Sequence, residues 1–234
     1  MTTAIILAGG LGTRLRTTVP DLPKPMAPIA GRPFLEYLLD YWIKQGIDRF
    51  VLSVGYRHEI IIEYFGNNYK GATLDYVIES KPLGTGGGFL LAAEKIGQEE
   101  PFLLLNGDTY FAVNLDEFEE FATVNNADWC FSLFGAKEDG RYMGMGVSSQ
   151  GQITSLQTGA TFPGRLANGG VYLIQPKVLS GIPFIVGDKV SLEDDIFPAL
   201  IKRGKHLFGC ACSGAFIDIG VPNDYHRAQT VLAL

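Results

Sequence analysis

Five residues near the start of the chain have the types and spacing needed to hold phosphate groups. A short apolar run is followed by three glycines and two cations, namely Gly9, Gly10, Gly12, Arg14 and Lys24. Because glycine has no Cβ, this backbone can approach a ligand closely, and its N–H groups can form an anion-binding nest. Arginine adds a planar fork of donors and lysine a compact point charge. The prolines on both sides of Lys24 fix their own φ and stiffen that segment. The stretch predicts a strand, a phosphate-binding loop and a cationic clamp.

The stretch does not fit the two better-known glycine-rich phosphate motifs. A Walker loop requires a lysine directly after its last glycine, and no lysine stands at that spacing. A dinucleotide-binding fingerprint that began at Gly10 would need a small residue at the position of Leu15. We interpret the stretch as a phosphate loop of another kind, and a plain tight turn between strand and helix is the alternative.

A carboxylate is expected beside this loop. Residues 101–108 have the sequence PFLLLNGD, which predicts a buried strand that ends shortly before Asp108. In open α/β sheets, ligands bind outside the carboxyl ends of the strands. Asp108 is therefore expected next to the first loop, and a helix cap is the alternative for a lone carboxylate in this position.

A second glycine-rich stretch, PLGTGGG at residues 82–88, is predicted to be a loop that feeds a helix beginning near Phe89. Its backbone could lie flat against a planar base, and the amides at the start of the helix would favour an anion. Glu79, at the end of the preceding strand, could accept two hydrogen bonds from guanine N1–H and N2–H₂. A flexible connector and a solvated surface carboxylate are the alternatives for the stretch and for Glu79.

Alternating strands and helices must position these residues. Hydrophobic periodicity, with proline and glycine at the ends of elements, predicts strands at 4–8, 49–54, 73–79, 102–105, 128–134, 166–174 and 216–219. It predicts helices over 34–45, 57–65, 114–127, 191–204 and 221–234, and a hairpin over 141–157 that turns near Gly151. Pro198 should kink or restart its helix. This order predicts an α/β fold, a Rossmann-like doubly wound mixed sheet with right-handed crossovers.

Length and composition limit the classes of function. A chain of 234 residues can bury a large core as a single domain. Its net charge of −6 argues against nucleic acid as a partner, so a local cluster of cations must hold any phosphate. Cys130, Cys210 and Cys212 suggest reduced thiols, buried as small apolar side chains in a cytoplasmic protein. We see no signal peptide, and no apolar run reaches the roughly 18 residues of a membrane span.

The run GG-x-GTRL followed by PKPM resembles the sugar-1-phosphate nucleotidyltransferases, also called nucleotide-sugar pyrophosphorylases. The resemblance covers nearly the whole chain and implies the mixed sheet of the nucleotide-diphospho-sugar transferases. It also implies the reaction of a nucleoside triphosphate with a sugar 1-phosphate, which yields a nucleotide sugar and pyrophosphate. In such a reaction the sugar phosphate oxygen attacks the α-phosphorus in line, and the protein contributes mainly positioning and charge neutralisation.

The resemblance assigns roles to individual residues. The catalytic residues would be Arg14, Lys24, Asp108 and Asp218, with Asp108 and Asp218 holding Mg²⁺ as the cofactor. The nucleotide would be bound by Leu7, Ala8, Gly9, Gly10, Gly12, Thr13, Arg14, Lys24, Glu79, Pro82, Gly84, Thr85, Gly86 and Asp108. The sugar and its phosphate would be bound by Tyr142, Gly144, Asn168, Gly169, Lys189 and Glu193. Met143 interrupts the R-Y-G element of the family, and a β-bulge is the alternative for the element at Asn168.

Within the family, four segments most resemble the D-glycero-D-manno-heptose 1-phosphate guanylyltransferases: VPDLPKPMAPIAGRPFLEYLLDYW, VGYRHEIIIEYFGNNYKG, PLGTGGG and SLEDDIFPAL. This likeness implies GTP and heptose 1-phosphate as substrates and GDP-heptose as the product, a precursor of bacterial lipopolysaccharide, capsule or S-layer glycans. Uridylyltransferases of the N-acetylmuramate 1-phosphate type and cytidylyltransferases stay open as alternatives. A sugar-nucleotide sensor without turnover is an alternative of another class, and the intact set of predicted catalytic residues argues against it.

The resemblance also predicts how the domain is divided. A nucleotide-binding part would cover about residues 1–112 and a sugar-binding part about residues 113–234, without the C-terminal β-helix of many relatives. The expected partners are a nucleoside triphosphate and a sugar 1-phosphate, with no membrane, and a homodimer is a possible assembly.

Overall fold

Runs of apolar and β-branched residues form the strands of one large mixed sheet. The computed structural model describes residues 3–15, 18–97, 99–136, 141–157 and 165–232, and within these ranges the sheet has ten strands. In chain order the strands, including four in two small ribbons, are β1 Thr3–Ala8, β2 Pro28–Ile29, β3 Arg32–Pro33, β4 Arg49–Val54, β5 Asn68–Tyr69, β6 Ala72–Ile78, β7 Phe102–Asn106, β8 Thr109–Phe111, β9 Trp129–Gly135, β10 Gly144–Val147, β11 Ile153–Gln157, β12 Leu166–Ile174, β13 Leu207–Ala211 and β14 Phe216–Asp218. The helices are α1 Phe34–Lys44, α2 His58–Phe65, α3 Gly84–Ala93, α4 Leu115–Val124, α5 Phe197–Lys202 and α6 Pro222–Val231.

Four parallel strands at the centre of the sheet determine where the site can lie. Their spatial order is β7-β1-β4-β6, and β1 pairs in parallel with both β4 and β7. The chain therefore first winds outward from β1 through β4 to β6 and then returns to the other side of β1 with β7. Such a reversal opens a crevice at the carboxyl ends of the strands, where ligands bind in open α/β sheets.

The remainder of the sheet includes antiparallel pairs, which make the sheet mixed. β12 pairs antiparallel with both β7 and β9, and β13 runs parallel to β9. The predicted hairpin is present as β10 and β11, joined by a turn through Gly151. The predicted mixed sheet of an α/β fold is thus confirmed.

Both faces of the sheet are covered by helices. Ile5 and Val51 contribute to one apolar cluster with α3 and α5, whereas their neighbours Ile6 and Leu52 contribute to the other cluster with α1, α4 and α6. Successive residues of a strand point to opposite faces, so these continuous apolar strands are buried on both sides. This arrangement is the predicted doubly wound architecture.

A separate two-stranded ribbon carries Asp218. β14 pairs antiparallel with β8, with Asp218 opposite Thr109, and the Ile219 amide donates to the Asp108 carbonyl oxygen at 3.0 Å. The ribbon therefore brings a strand from near the end of the chain to the carboxyl end of β7.

One predicted boundary was wrong. The glycine-rich stretch at 84–88 is not a loop before a helix at Phe89, because α3 begins at Gly84. The amides of Gly86 and Gly87 donate to the carbonyl oxygen of Val190 at 2.8 and 3.1 Å. This contact with a distant segment satisfies donors at the start of the helix, which local propensity could not indicate.

The segment around Pro198 behaves as predicted. Ser191 accepts a hydrogen bond from the Asp194 amide at 3.0 Å, as in a helix cap. A π-helical turn, Leu192–Ile196, follows and gives way to α5 at Phe197, directly before Pro198. The described residues contain no helix with the length and apolarity of a membrane span.

Candidate active site

A cleft of about 580 Å³ opens at the carboxyl ends of β1, β6 and β7. Most of the residues predicted to bind the nucleotide meet there, together with part of the predicted sugar-binding set. Among the described residues, the cleft is lined by Leu7, Ala8, Gly9, Gly10, Leu11, Gly12, Thr13, Arg14, Lys24, Pro25, Glu79, Pro82, Gly84, Thr85, Asn106, Gly107, Asp108, Thr109, Lys189, Glu193 and Asp218.

Lys24 is held against the first glycine-rich loop by a short 3₁₀ turn. The turn spans Lys24–Met26, and the Met26 amide donates to the Pro23 carbonyl oxygen at 2.8 Å. Gly12 has a φ of +59°, and a Cβ there would lie 3.2 Å from the Lys24 Cβ. The loop therefore needs glycine at this position both for its left-handed backbone and for the close approach of the lysine.

Glu79 lies directly beneath the same loop. A Cβ on Gly9 would lie 2.0 Å from Glu79 Oε1, so the glycine permits the loop to rest on this carboxylate. Oε1 accepts from the Ser53 hydroxyl at 3.0 Å, and Oε2 accepts from the Leu83 amide at 3.1 Å. Glu79 is therefore a half-buried, oriented carboxylate on the cleft wall.

The two predicted metal-binding carboxylates come together around Lys24. The Lys24 ammonium pairs with Asp108 Oδ2. A Cβ on Gly220 would lie 3.1 Å from Lys24 Nζ and 2.7 Å from Asp218 Oδ1, so the same ammonium also lies near Asp218. Asp218 Oδ1 accepts from the Gly220 amide at 2.6 Å. Lys24 thus pairs with Asp108 and lies near Asp218 on the cleft floor.

The surroundings shift the pKa values of the two carboxyl groups in opposite directions. Burial acts to raise the pKa of Asp108, but the Lys24 ammonium, the Thr109 hydroxyl and the Arg14 charge lower it below its ordinary value. Burial and the neighbouring Asp108 charge raise the pKa of Asp218, although Lys24, the Gly220 amide and Arg141 oppose this. Two neighbouring carboxyl groups of the cleft floor therefore differ in how readily they lose a proton, and Asp108 is the more acidic of the two.

The opposite wall of the cleft joins the start of α3 to the π-helical turn. The Thr85 hydroxyl donates to Glu193 Oε2 at 2.9 Å and accepts from the Leu192 amide at 2.9 Å. The Ser191 hydroxyl also donates to Glu193 Oε2, at 3.2 Å. Glu193 is held by two hydroxyl groups, while Lys189 lies exposed at the rim.

Five predicted site residues lie outside the cleft lining. Gly86 is buried in α3, where a Cβ would meet Val190 at 2.9 Å, and Gly144 is buried in β10. Tyr142 instead lines a second cavity of about 550 Å³ with Phe134, Cys212, Phe216 and Arg227. The other two are Asn168 and Gly169 in β12.

Asn168 marks an irregularity of β12. Its side-chain amide donates to the Tyr172 hydroxyl at 2.8 Å. The pairing of β12 with β9 shifts register between Asn168 and Tyr172, as at the bulge considered for this element. Burial and the Glu193 and Asp108 charges raise the pKa of Tyr172, so the hydroxyl group that Asn168 contacts lies near both carboxylates. Its role in sugar binding stays a prediction.

Sequence reasoning missed several lining residues. Leu11, Pro25, Asn106, Gly107 and Thr109 line the cleft but had no predicted role. All of them lie within two positions of predicted residues, and a search of the flanking positions would have found them.

Known proteins resemble this chain over nearly its whole length. A D-glycero-alpha-D-manno-heptose 1-phosphate guanylyltransferase of Aneurinibacillus thermoaerophilus is 42% identical over 98% of this chain and 97% of its own. The protein of that name from Campylobacter jejuni is 38% identical over 96% of this chain and 97% of its own. The crystal structure of HddC from Yersinia pseudotuberculosis in complex with GMP-PN has a TM-score of 0.86 and 33% identity. It covers 98% of this chain and 99% of its own.

The family match agrees with the geometry of the cleft. The sequence model of the family described as Nucleotidyl transferase matches residues 3–233, a span that includes every residue of the cleft lining. The glycine-rich loop, the clamp lysine and the paired carboxylates thus all lie within the matched region, and the chain belongs to the nucleotidyl transferase family.

Proposed function

We propose that this protein transfers a guanylyl group from GTP to D-glycero-D-manno-heptose 1-phosphate, giving GDP-heptose and pyrophosphate. The observation that carries the reaction class is the meeting of a backbone phosphate loop, Lys24 and two carboxylates in one cleft. The choice of base and sugar is supported by the two relatives named for this activity, which are 42% and 38% identical over nearly the full chain.

The cations of the first loop supply the charge that the reaction needs. Arg14 is exposed at the cleft and close enough to Asp108 to lower its pKa, so it can hold the departing pyrophosphate. Lys24 lies deeper and can neutralise charge near the α-phosphate as the sugar phosphate oxygen attacks. Such preorganised charges act mainly on the transition state.

The carboxylates fit a divalent cation. Lys24 pairs with Asp108 and lies near Asp218, and burial together with the Asp108 charge raises the pKa of Asp218. Within the described ranges, no three His, Cys, Asp or Glu side chains group to hold a metal ion. Mg²⁺ commonly takes one or two carboxylates and completes its shell with phosphate oxygens and water. Asp108 and Asp218 would hold Mg²⁺, which would neutralise charge on the phosphate groups of the two substrates.

The remaining cleft residues could bind the base and the sugar of the product. Glu79 offers an oriented carboxylate to the guanine edge. Glu193, on the opposite wall, would accept from sugar hydroxyls, and Lys189 at the rim is a cation for the sugar phosphate. Asn168 and Gly169 would contribute from β12.

A substrate matrix tests the proposal. GTP, UTP, CTP and ATP are each combined with heptose, mannose, glucose and N-acetylmuramate 1-phosphates, and pyrophosphate release is measured with Mg²⁺. We expect the highest kcat/KM for GTP with heptose 1-phosphate. A clear preference for UTP or CTP would overturn the guanylyl assignment. Nucleotide binding without pyrophosphate release from any pair would favour a sugar-nucleotide sensor.

A further inference from the structure

Arg141 lies outside the cleft lining but contacts the strand that carries Asp218. Its guanidinium Nη2 donates to the Asp218 carbonyl oxygen at 3.3 Å. The same nitrogen lies 3.7 Å from Asp218 Oδ2. The Arg141 side chain is only 16% exposed, so solvent screens these contacts weakly. Arg141 thus touches both the backbone and the carboxylate of Asp218.

Asp224 holds Arg141 from the other side. It lies in the first turn of α6, and its side chain is 4% exposed. Arg141 Nη1 pairs with Asp224 Oδ2, and Arg227 Nη1 lies 3.1 Å from Oδ1. A carboxylate buried to this extent is retained only with charged partners. The chain of contacts therefore runs from α6 through Arg141 to Asp218.

Tyr142 reinforces the same strand by packing. Its ring lies 4.9 Å from the Arg141 guanidinium carbon, within the range of a cation–π contact. It meets the ring of Phe216 edge-on at 5.6 Å, and Phe216 stacks on Phe134 at 3.8 Å. Arg141 and Tyr142 therefore hold β14 at both ends, at Asp218 and at Phe216.

We propose that Arg141 and Asp224 are positioning residues, which orient the Asp218 carboxylate for the divalent cation and phosphates of the transfer reaction. The inference rests on the proposed function. Groups that orient a metal ligand typically change metal affinity about 10–100-fold when they are altered. The contacts use a planar fork that reaches Asp224 and Asp218 together, which a lysine ammonium does not reproduce.

The test compares Arg141→Lys and Asp224→Asn with wild type in two assays. The first measures Mn²⁺ binding to the protein–GTP complex by electron paramagnetic resonance, without sugar phosphate. The second measures the Mg²⁺ concentration for half-maximal pyrophosphate release at saturating GTP and heptose 1-phosphate. In both variants we expect the Mn²⁺ affinity to fall, and the Mg²⁺ concentration for half-maximal activity to rise, by about 10–100-fold. The affinity for GTP in EDTA should stay at the wild-type level. Arg49→Lys is the matched control, since Arg49 also pairs with a carboxylate, Asp75 at 2.8 Å, but at the amino end of β4.

Arg141→Lys is the deciding variant because it keeps the charge, and a thermal unfolding measurement is used to verify that it folds. Mn²⁺ affinity at the wild-type level in folded Arg141→Lys would overturn the inference, as would equal weakening in Arg49→Lys. Weaker Mn²⁺ binding with weaker metal-free GTP binding would indicate a general loss of structure and would also overturn it. A wild-type protein that binds Mn²⁺ with GTP but transfers no guanylyl group would overturn the proposed function instead.

Discussion

Glu79 is the residue that we propose to select the base, and its surroundings fix its orientation. Ser53 and Leu83 each donate to a different oxygen of its carboxylate, which fixes the plane of the group at the cleft wall. Each oxygen keeps a further lone pair, so both can accept from the N1–H and N2–H₂ groups of guanine. Uracil and cytosine do not present this pair of adjacent donors.

We predict that Glu79→Gln lowers kcat/KM for GTP by about 10–100-fold, because a charged acceptor is replaced by a neutral amide with its own donors. The kcat/KM for UTP should change much less, since uracil has no pair of adjacent donors for the two oxygens of the Glu79 carboxylate. Steady-state kinetics with each nucleotide at saturating sugar phosphate measures the two values. Glu59→Gln is the control, because this carboxylate is 64% exposed on α2. An equal loss for both nucleotides would contradict base reading by Glu79.

At the scale of elements, α3 shows that glycine in a helix can serve packing. Gly84, Gly86 and Gly87 lie where the start of α3 crosses residues 188–190. A Cβ on Gly87 would lie 2.5 Å from the Asp188 carbonyl oxygen and 2.7 Å from the Leu83 Cβ. The absence of side chains therefore permits the contact that joins α3 to the turn carrying Glu193.

We predict that Gly87→Ala lowers the free energy of unfolding by about 1–3 kcal/mol. Alanine is the better helix former by about 0.8–1.0 kcal/mol, but backbone at Asp188 cannot move away as a flexible side chain would. Urea unfolding at neutral pH measures the change. Gly97→Ala is the control, since a Cβ there would meet nothing within 4 Å, and its effect should stay within about 0.5 kcal/mol. A Gly87→Ala variant that is more stable than wild type would show that the close contact is absent.

At the scale of the whole molecule, Asp128 joins three strands on the β12 side of the sheet. Its carboxylate accepts from the His206 amide at 3.0 Å, ahead of β13, and pairs with Lys177 at 2.8 Å, beyond β12. Its carbonyl oxygen accepts from the Gln175 amide at 3.0 Å. Asp128 itself directly precedes β9 and is 7% exposed. These bonds fix the ends of β9, β12 and β13 relative to one another.

We predict that Asp128 contributes to the loss of unfolding free energy when the pH is lowered into the acid range. Burial acts to raise its pKa, but Lys177 and the His206 amide outweigh burial and lower the pKa below its ordinary value. A carboxyl group with a lowered pKa in the folded state stabilises the protein above its unfolded-state pKa. That contribution is lost as the pH falls through the folded-state value.

Asp128→Asn should therefore lower stability at pH 7 by about 0.5–1 kcal/mol, a modest value because Lys177 is largely exposed. It should also flatten the loss of stability between about pH 4 and pH 2. Urea unfolding at several pH values measures both effects. Asp116→Asn, an exposed carboxylate of α4, should behave as wild type. A parallel acid dependence in wild type and Asp128→Asn would contradict the prediction.

The sequence by itself determined the features that depend on near neighbours. Apolar runs and helical spacing predicted β1, β4, β12 and most helices, because periods of 2 and 3.6 residues follow from backbone geometry alone. The glycines and the clamp lysine lie within one short stretch, so their spacing already indicated the phosphate cleft and the family. The boundary between a nucleotide part and a sugar part stays a prediction, as does the homodimer.

Only the tertiary structure decided which distant residues meet. Asp218 reaches Asp108 because β14 pairs with β8. The helix α3 starts at Gly84 because the Val190 carbonyl oxygen accepts hydrogen bonds from the amides of Gly86 and Gly87. Tyr142 packs against Phe216, outside the cleft lining. These contacts join segments far apart in the chain, and their stability comes from burial and pairing in the assembled fold. Local pattern carries no information about such partners, which is why Arg141 and Asp224 became visible as positioning residues only in the folded molecule.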